Sequence, residues 1–456
     1  MTTCIIAEKP SVARDIARIV GANSKQDGYM EGCGYVVTWA MGHLIALAMP
    51  EAYGFSAYKA EDLPIRPNPF QLVVRQVRKD KEYISDPAAL KQLKVIRSCF
   101  DKADRIIVAT DAGREGELIF RYIYQHLNCY KPFDRLWISS LTDKAIREGL
   151  SNLKAGSHYD NLYYSAKARS EADWLVGINA SRALSIARKG GYSLGRVQTP
   201  TLAMVCRRYI ENRDFSSVPY WKLSVFTEKE GMSLKAVGCK DYENEALAQT
   251  ALAALHSQSQ LTVESVVRKV AGTPPPLLYD LTALQKDANK RQGFSADKTL
   301  SIAQSLYEKK ITTYPRTGSR YISEDVFEEV PVLLRNIGKT LSNPLNRHSV
   351  DNAKVTDHHA IIPTGEPPSG LSTDEITIYQ MVVNRFIEAF SSDSEEERMQ
   401  VRFTNGTNTF TWKACRQISL GWKAVQKDKA TEADKKEDGD EQVLSSLPNL
   451  TEGEYL

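Results

Sequence analysis

The feature that most constrains the fold is a strand–helix pattern that occurs twice near the start of the chain. The β-rich run TTCII is followed by the polar AEKPS and by an amphipathic helix that starts near Pro10. RIIVAT is followed in the same way by the polar DAGREGE and by the helical LIFRYIYQHL. Farther on, RLWISSLT, from Arg135, predicts another strand, which is followed by a helix from Asp143. Strands that alternate with helices predict a parallel sheet in residues 1 to about 150. Ligands of such sheets bind beyond the carboxyl ends of the strands, where both polar junctions lie.

Length and composition exclude several classes of protein. At 456 residues the chain is too long for one core, so we expect two to four domains. It has no apolar run of roughly 18 residues that would span a membrane, and its N-terminus lacks the pattern of a signal peptide, so we predict a cytoplasmic protein without membrane association. The seven cysteines form no C-x-x-C pair, which argues against a zinc ribbon.

Charge is unevenly distributed. Residues 425–442 contain seven acids and four lysines and carry −3, which leaves +6 on the rest of the chain against a total of +3. We expect this run to be a solvated loop. The remaining positive charge is compatible with a basic groove for nucleic acid, and equally with a small anionic substrate.

The rest of the chain predicts helical and β-rich segments. Residues 158–212 are mostly helical, with a break at GYSLGRVQTP. YWKLSVFTEK and LTVESVVRKVAG alternate as strands do, and Ser295 is suited to cap a helix that leads to Tyr314. A further β-rich run, MQVRFTNGTNTFTWKACRQI, has Asn405–Gly406 as its turn.

Carboxylates follow both strands of the repeated pattern. Glu8 comes after the first, and Asp111 and Glu115 come after the later one, with Glu117 beyond. Carboxylates at neighbouring strand ends suit Mg²⁺, which prefers oxygen ligands, and Lys9 adds a cation for phosphate. The alternative is that these acids only occupy the first turn of a helix, where the helix dipole favours them.

A tyrosine beside an arginine forms a second candidate site, in ITTYPRTGSRYIS. The phenol of Tyr314 would have to lose its proton to attack phosphorus, and a nearby cation favours that loss. If the segment is extended, Tyr314 and Arg316 project to the same side, with Pro315 fixing the backbone between them. The alternative is a turn after a helix in which Tyr314 packs against the core.

The stretches around these residues resemble type IA DNA topoisomerases. IIAEKPSVARDIA and IVATDAGREGELIF resemble their TOPRIM domain, which carries a glutamate after one strand and a D-x-D-x-E motif after another. The resemblance implies that Glu8, Asp111 and Glu115 bind Mg²⁺. The middle acid of the motif is Gly113 here, so one carboxylate of the metal site is missing.

The tyrosine segment resembles the Y-P-R-T-D-S-like stretch of the same family. This implies that Tyr314 is the nucleophile, that Glu8 protonates the leaving 3′-oxygen, and that Lys9 and Arg316 stabilise phosphate charge. The usual aspartate of this stretch is Gly318 here. YPRT and GRVQTPT are more similar to topoisomerase III than to topoisomerase I.

Three further stretches resemble the family's DNA-binding segments. ARSEADWLVGINASRAL contains Arg169 and Asp173, SLGRVQTPTLAMV contains Arg196 and Gln198, and TDHHAIIPTG contains His358. Read alone, the first is an exposed ion pair, the second a loop that opens a helix, and the third a structural histidine pair. MGHLIAL, with His43, also fits the family, either as structure or as lining of the DNA path.

The resemblance implies a multidomain α/β, α and β architecture, arranged as an open ring. The expected parts are a TOPRIM catalytic domain at 1–152, a helical gate-base domain at 153–213, a β-rich arch at 214–273 that resumes at 400–456, and an inserted domain with the catalytic tyrosine at 274–399. No G-x-G-T-P-A-T-R-like segment is found, so we expect a chain without the remainder of the arch and gate-base domains.

The implied function is ATP-independent strand passage through a 5′-phosphotyrosine link, acting on single-stranded or negatively supercoiled DNA and dependent on Mg²⁺. We expect a monomer that cleaves DNA without completing strand passage. Two alternatives stay open: another TOPRIM enzyme, such as a primase or nuclease, in which Tyr314 is dispensable, and a single-stranded DNA-binding fragment without turnover.

Overall fold

The computed structural model of the protein describes residues 2–79, 82–138, 141–256, 260–342, 344–406, 408–426 and 441–456. The chain divides into two units. Unit 1 contains residues 1–214, 323–328 and 353–359, and unit 2 contains residues 215–322, 329–352 and 360–456. Most of the predicted solvated loop at 425–442 lies outside the described residues.

Unit 1 contains a seven-stranded sheet with helices on both faces. Its helices and strands are β1 (Thr3–Ala7), α1 (Pro10–Val20), β2 (Ser24–Gln26), β3 (Tyr29–Gly32), β4 (Tyr35–Trp39), β5 (Ile45–Leu47), β6 (Leu72–Val74), β7 (Gln76–Lys79), β8 (Glu82–Ser85), α2 (Pro87–Lys102), β9 (Arg105–Ala109), α3 (Arg114–His126), β10 (Phe133–Arg135), α4 (Asp143–Ser151), β11 (Lys154–Ala155), α5 (Asp160–Arg188) and α6 (Gln198–Arg213). The strand order is β11-β10-β9-β1-β4-β3-β2.

The centre of this sheet is parallel. β1 pairs in parallel with β4 and β9, and β9 pairs in parallel with β10, while β2, β3 and β11 add antiparallel edges. Separate clusters of buried apolar residues cover the two faces, as expected for strands buried on both sides. The predicted parallel sheet and the alternation of strands and helices are confirmed.

The strand predicted from Arg135 onward was wrong in position. β10 ends at Arg135, where the predicted strand begins. Arg135 is buried, and its Nη1 donates to the carbonyl oxygens of Val108 and Leu136 at 3.0 and 2.8 Å. The Val108 carbonyl oxygen also accepts from Leu136 N at 2.9 Å, so the guanidinium adds to the backbone pairing at the end of β10.

Unit 2 is built around a six-stranded sheet that is antiparallel except for β17, which pairs in parallel with β16. The remaining elements along the chain are β12 (Trp221–Lys229), β13 (Met232–Tyr242), α7 (Glu245–His256), β14 (Thr262–Thr273), α8 (Leu281–Gln292), α9 (Ala296–Glu308), α10 (Glu324–Asn336), α11 (Thr373–Phe390), β15 (Ser394–Thr404), β16 (Thr409–Ser419) and β17 (Glu441–Val443). The order is β12-β13-β16-β15-β14, and β17 pairs with β16. The sheet thus joins strands that lie before and after the helical segment.

The local signals in the sequence are confirmed at several element ends. Gly21 follows α1 with a left-handed φ of 79°, and the Ser295 side chain accepts a hydrogen bond from Lys298 N at 3.1 Å at the start of α9. Gly406, in the turn between β15 and β16, has a φ of 92°. The predicted domain boundary at 399/400 falls inside β15, and the family-type domain boundaries remain predictions. In the described part of the chain, no helix combines the length and apolar character that crossing a membrane requires.

Candidate active site

Two of the predicted acids lie side by side at the carboxyl edge of the unit 1 sheet. Ala7 of β1 is paired with Ala109 of β9, so the residues that follow both strands emerge together. Asp111 N lies 3.3 Å from Glu8 Oε2 and donates to it. The sheet register therefore brings Glu8 and Asp111 together, as the strand–helix pattern predicted.

The Asp111 carboxylate is held by two cationic or polar side chains. Lys9 Nζ lies 2.8 Å from Asp111 Oδ2, and His358 Nε2 lies 2.9 Å from the same oxygen. Although burial acts in the opposite direction, these contacts lower the pKa of Asp111 to about 2. Asp111 is therefore ionised throughout the neutral range. His358, predicted to contact DNA, lies within this acidic site.

Glu8 has the opposite electrostatic environment. Burial, and then the charge of Asp111, raise the pKa of Glu8 above its ordinary value. Two neighbouring carboxyl groups thus have pKa values that are moved apart, which is the pattern that separates a proton donor from a permanent anion.

A buried ion pair lies beneath the acidic strand ends. Arg135 Nη2 donates to the carbonyl oxygen of Asp111 at 2.7 Å, and its Nε lies 3.1 Å from Glu117 Oε2. Glu117 is fully buried and also accepts from Arg121 Nε at 2.8 Å. Because both oxygens of Glu117 are engaged, this acid supports the site from within and is not an additional metal ligand. Sequence reasoning missed Arg135, for which the only signal was an arginine inside an apolar run.

Glu115 lies one residue into α3 and is paired with a histidine. His43 Nε2 is 2.6 Å from Glu115 Oε1, and this hydrogen bond lowers the pKa of Glu115. Over the residues that the structure describes, no three His, Cys, Asp or Glu side chains are grouped as a metal site. The predicted set of Glu8, Asp111 and Glu115 is therefore not assembled around one point.

The chemistry of the donors nevertheless suits magnesium. Glu8 and Asp111 offer carboxylate oxygens at one sheet edge, and Mg²⁺ prefers oxygen ligands and keeps several of its waters. Two protein carboxylates are enough for such an ion. On this donor set, the residues present fit Mg²⁺.

The predicted DNA-binding residues on α5 and at the start of α6 form one exposed group. Arg169 Nε lies 4.0 Å from Asp173 Oδ2, and Arg196 Nη2 donates to the same carboxylate at 3.3 Å. Gln198, the first residue of α6, donates to Ser193 Oγ at 2.9 Å. The structure therefore brings both arginines to Asp173 and leaves their side chains accessible.

Tyr314 lies in unit 2, directly before a bend of the chain at Pro315. Burial alternates from Pro315 to Ser319, with Arg316 and Gly318 exposed and the residues between them buried. Because the chain bends at Pro315, the projection of Tyr314 and Arg316 to the same side, which assumed extended backbone, stays a prediction. The ring of Tyr314, which is partly buried, makes an edge contact with Tyr307 at 5.2 Å between centroids.

The backbone of this segment is fixed by residues of the stretch TDHHAIIPTG, which also carries His358. Thr313 N donates to the Ile362 carbonyl oxygen at 3.0 Å, and Thr312 forms an isolated bridge with Pro363. After Tyr314, the Thr317 carbonyl oxygen accepts from Leu281 N at 3.2 Å, and the Arg320 side chain donates through Nε to the Leu278 carbonyl oxygen at 3.1 Å. The backbone on both sides of Tyr314 is therefore held by long-range hydrogen bonds.

Family models match both parts of the chain. The Toprim domain matches residues 3–141, and the DNA topoisomerase family matches residues 157–456. These ranges contain Glu8, Asp111 and Glu115 in the first, and Tyr314 and His358 in the second.

Curated relatives match along most or all of the chain. DNA topoisomerase 3 of Bacillus subtilis is 43% identical over 475 residues, which cover 100% of this chain and 63% of the relative. DNA topoisomerase 3 of Shouchella clausii is 42% identical over 94% of this chain and 60% of its own length. The chain thus spans somewhat less than two thirds of these relatives.

A solved structure shares the fold. Full-length topoisomerase I from Thermotoga maritima aligns with a TM-score of 0.65 at 24% identity, covering 99% of this chain and 70% of the other. Together with the family matches, this confirms the resemblance found in the sequence. The chain belongs to the type IA DNA topoisomerase family and carries a Toprim domain at its N-terminal end.

Proposed function

We propose that this chain cleaves and reseals single-stranded DNA through Tyr314. The phenolic oxygen attacks a phosphodiester, the bond between phosphorus and the 3′-oxygen breaks, and the 5′-phosphate stays on the tyrosine. Glu8 donates a proton to the leaving 3′-oxygen. Because the phosphotyrosine link conserves the energy of the broken bond, resealing needs no ATP, and the sequence contains no G-x-x-x-x-G-K-[ST] phosphate loop.

The observation that carries this proposal is that Glu8 and Asp111, at the same sheet edge, have pKa values shifted in opposite directions. Burial and Asp111 raise the pKa of Glu8, so this side chain keeps its proton to a higher pH than an ordinary glutamate. Asp111 stays ionised against Lys9 and His358. A proton donor next to a fixed charge is the arrangement that acid-assisted departure of the 3′-oxygen requires.

The cationic residues have separate tasks in the proposal. Lys9 and Arg316 stabilise charge on the reacting phosphate, and Arg169, Arg196 and Gln198 hold the DNA backbone. His358 orients the phosphate from its contact with Asp111. Asp173 keeps Arg169 of α5 and Arg196 of the loop before α6 in position.

Mg²⁺ is proposed as the cofactor for resealing. Glu8 and Asp111 would hold it, and when bound it would supply positive charge that neutralises the phosphate. Glu8 and Asp111 themselves are fixed by the sheet register and by Arg135, independently of the ion.

Strand passage is proposed only for the whole protein. The relatives called DNA topoisomerase 3 are longer than this chain, so relaxation and decatenation are assigned to a protein of their length. For this chain we propose cleavage of single-stranded or negatively supercoiled DNA and its resealing. A monomeric state and a cytoplasmic location remain predictions.

A covalent trap tests the proposal. Protein and end-labelled single-stranded DNA are mixed, quenched with denaturant and separated on a protein gel. We expect an adduct that carries only label placed 3′ of the break, lost in Tyr314→Phe and retained in the matched variant Tyr307→Phe.

Two other outcomes identify the alternatives. Cleavage that persists in Tyr314→Phe without an adduct would indicate another Toprim enzyme, such as a nuclease. DNA binding without cleavage or adduct would indicate a binding protein without turnover.

A further inference from the structure

Two arginines that the proposed reaction does not use meet at one carbonyl group in unit 2. Arg320 Nη2 donates to the Leu277 carbonyl oxygen at 3.2 Å, and Arg385 Nη1, from α11, donates to the same oxygen at 3.2 Å. Arg320 Nε also donates to the Leu278 carbonyl oxygen at 3.1 Å. We call Arg320 and Arg385 the arginine clamp. Because a guanidinium presents its donors in a fixed fork, the two groups together fix the path of this stretch of backbone.

Arg320 belongs to the segment that carries the proposed nucleophile. It lies six residues after Tyr314. Between them, the Thr317 carbonyl oxygen accepts from Leu281 N at 3.2 Å. The chain that follows Tyr314 is thus held to the stretch 277–281 by a backbone hydrogen bond and by the Arg320 side chain.

The stretch 277–281 also contacts the residues that hold the chain before Tyr314. Ile361 N donates to the Tyr279 carbonyl oxygen at 2.8 Å. The neighbouring Ile362 carbonyl oxygen accepts from Thr313 N at 3.0 Å. A shift of this stretch would therefore reach Tyr314 from both directions along the chain.

Arg385 is itself fixed by a buried polar network. Its Nη2 donates to Asp287 Oδ2 at 2.8 Å, and its Nε donates to Glu388 Oε2 at 3.1 Å. Its Cζ lies 4.1 Å from the centre of the Tyr279 ring, and the Tyr279 hydroxyl donates to Asp287 Oδ2 at 2.7 Å. Burial raises the pKa of Tyr279, so this phenol stays protonated and keeps its donor role. Arg385 is therefore a buried support and not a surface cation.

We propose that the arginine clamp positions Tyr314 for attack on DNA, with Arg385 holding the stretch 277–281 and Arg320 linking it to the tyrosine segment. Both are positioning residues, because they act on Tyr314 through the backbone. The inference rests on the proposed function, in which Tyr314 is the nucleophile. A misplacement of about 1 Å can cost about 100-fold in rate, so loss of the clamp should affect the reaction more than DNA binding.

Exchange of arginine for lysine tests the clamp, because lysine keeps the charge and loses the fork. Arg385→Lys and Arg320→Lys are compared with the matched control Arg416→Lys, since Arg416 forms an exposed pair with Glu397 in the same unit. The single-turnover rate of adduct formation should fall about tenfold or more in both clamp variants and stay within about twofold in the control. Affinity for single-stranded DNA, measured by anisotropy in a Tyr314→Phe background, should stay within about threefold in all of them.

The double variant separates a shared positioning role from two independent effects. Since both arginines act through the Leu277 carbonyl group, Arg320→Lys with Arg385→Lys should lose no more than about threefold beyond the slower single variant. Losses that multiply, an unchanged rate in either single variant, or a fall in DNA affinity as large as the fall in rate would each overturn the inference. Arg320 is only partly buried, so Arg320→Lys tests the clamp even where Arg385→Lys does not fold.

Hydrogen exchange without DNA gives a second readout that does not depend on the reaction. Exchange should become faster at the amides of Leu281 and Ile361 in both clamp variants, while β15 and β16 of the same unit stay protected. Equally faster exchange in those strands would indicate general destabilisation and contradict the inference.

The two measurements distinguish the clamp from the nucleophile. Faster exchange at Leu281 and Ile361 in the variants, with no adduct in the unaltered chain, would refute Tyr314 as the nucleophile while supporting the hold of the clamp on its segment. Adduct formation at the unaltered rate in both clamp variants would refute only the clamp.

Discussion

At the scale of single residues, Arg135 is the side chain that holds the acidic site in place. It is fully buried, donates to the carbonyl oxygen of Asp111 and is paired with the equally buried Glu117. Such a cation is not exchangeable for an apolar residue, because its loss leaves a buried carboxylate with fewer partners.

We therefore expect Arg135→Met to lower the free energy of unfolding by about 3 kcal/mol, with Arg121 still compensating part of the Glu117 charge. The measurement is denaturant unfolding followed by circular dichroism. Arg18→Met is the matched control, since Arg18 forms an exposed pair with Asp143 and should cost less than about 1 kcal/mol. Equal losses in both variants would contradict the structural role of Arg135.

Arg196 tests the proposed DNA contact in the loop that leads into α6. Arg196→Gln should weaken binding of single-stranded DNA by about tenfold and reduce the slope of log affinity against log salt by about 0.7, because one phosphate contact is lost. Fluorescence anisotropy at several salt concentrations measures both. Arg213→Gln, at the C-terminal end of α6, removes an exposed ion pair of the same kind and should leave the slope unchanged. If the two variants behave alike, Arg196 is only an ion-pair partner of Asp173.

At the scale of elements, α11 shows how one carboxylate can fix a helix start. Glu375 and Ser372 form a capping box, and Glu375 also accepts from Lys309 Nζ at 2.7 Å and Ser305 Oγ at 2.6 Å. The hydrogen bond from Lys309, followed by that from Ser305, lowers the pKa of Glu375 to about 2 from an ordinary 4.5. The folded state therefore favours the ionised form of the Glu375 side chain.

Stability should accordingly depend on pH through Glu375. Its contribution is fully present above the ordinary pKa of 4.5 and is lost as pH falls through about 2. Glu375→Gln should lower the free energy of unfolding by about 1–2 kcal/mol near pH 7, and the difference should close toward pH 2. Unfolding curves at a series of pH values check this. Glu308→Gln, an exposed change of the same charge on α9, should show no such closing difference.

The sequence predicted those elements whose signals are local. The strand–junction–helix pattern placed Glu8 and Asp111 correctly, because parallel strands in register deliver their ends to one edge. It did not show that Arg135 lies buried beneath the acidic strand ends, nor that His358 contacts Asp111. Both depend on contacts between residues far apart in the chain, and hydrophobic periodicity carries no information about such pairs.

At the scale of the whole molecule, the two units have separate cores. In unit 2 the core lies on the sheet formed by strands before and after the helical segment, and Trp412 on β16 is fully buried in it. A substitution that weakens this core should therefore destabilise that sheet first.

Trp412→Ala should lower the stability of unit 2 by about 3–5 kcal/mol, because it leaves a large cavity. Hydrogen exchange should rise in the strands of residues 221–273 and 394–419, while the central strands of the unit 1 sheet stay protected. Phe226→Ala removes an exposed ring from the same sheet and should change stability by less than about 0.5 kcal/mol. Equal loss of protection in both sheets would contradict independent cores.

The central claim is that Tyr314 becomes covalently bonded to DNA, and peptide mapping of a trapped adduct tests it most directly. After nuclease digestion and trypsin, the nucleotide mass should be found on the peptide from Ile311 to Arg316, attached to Tyr314 through a 5′-phosphate. A nucleotide attached to any other residue, or cleaved DNA with no nucleotide on any peptide, would contradict the account.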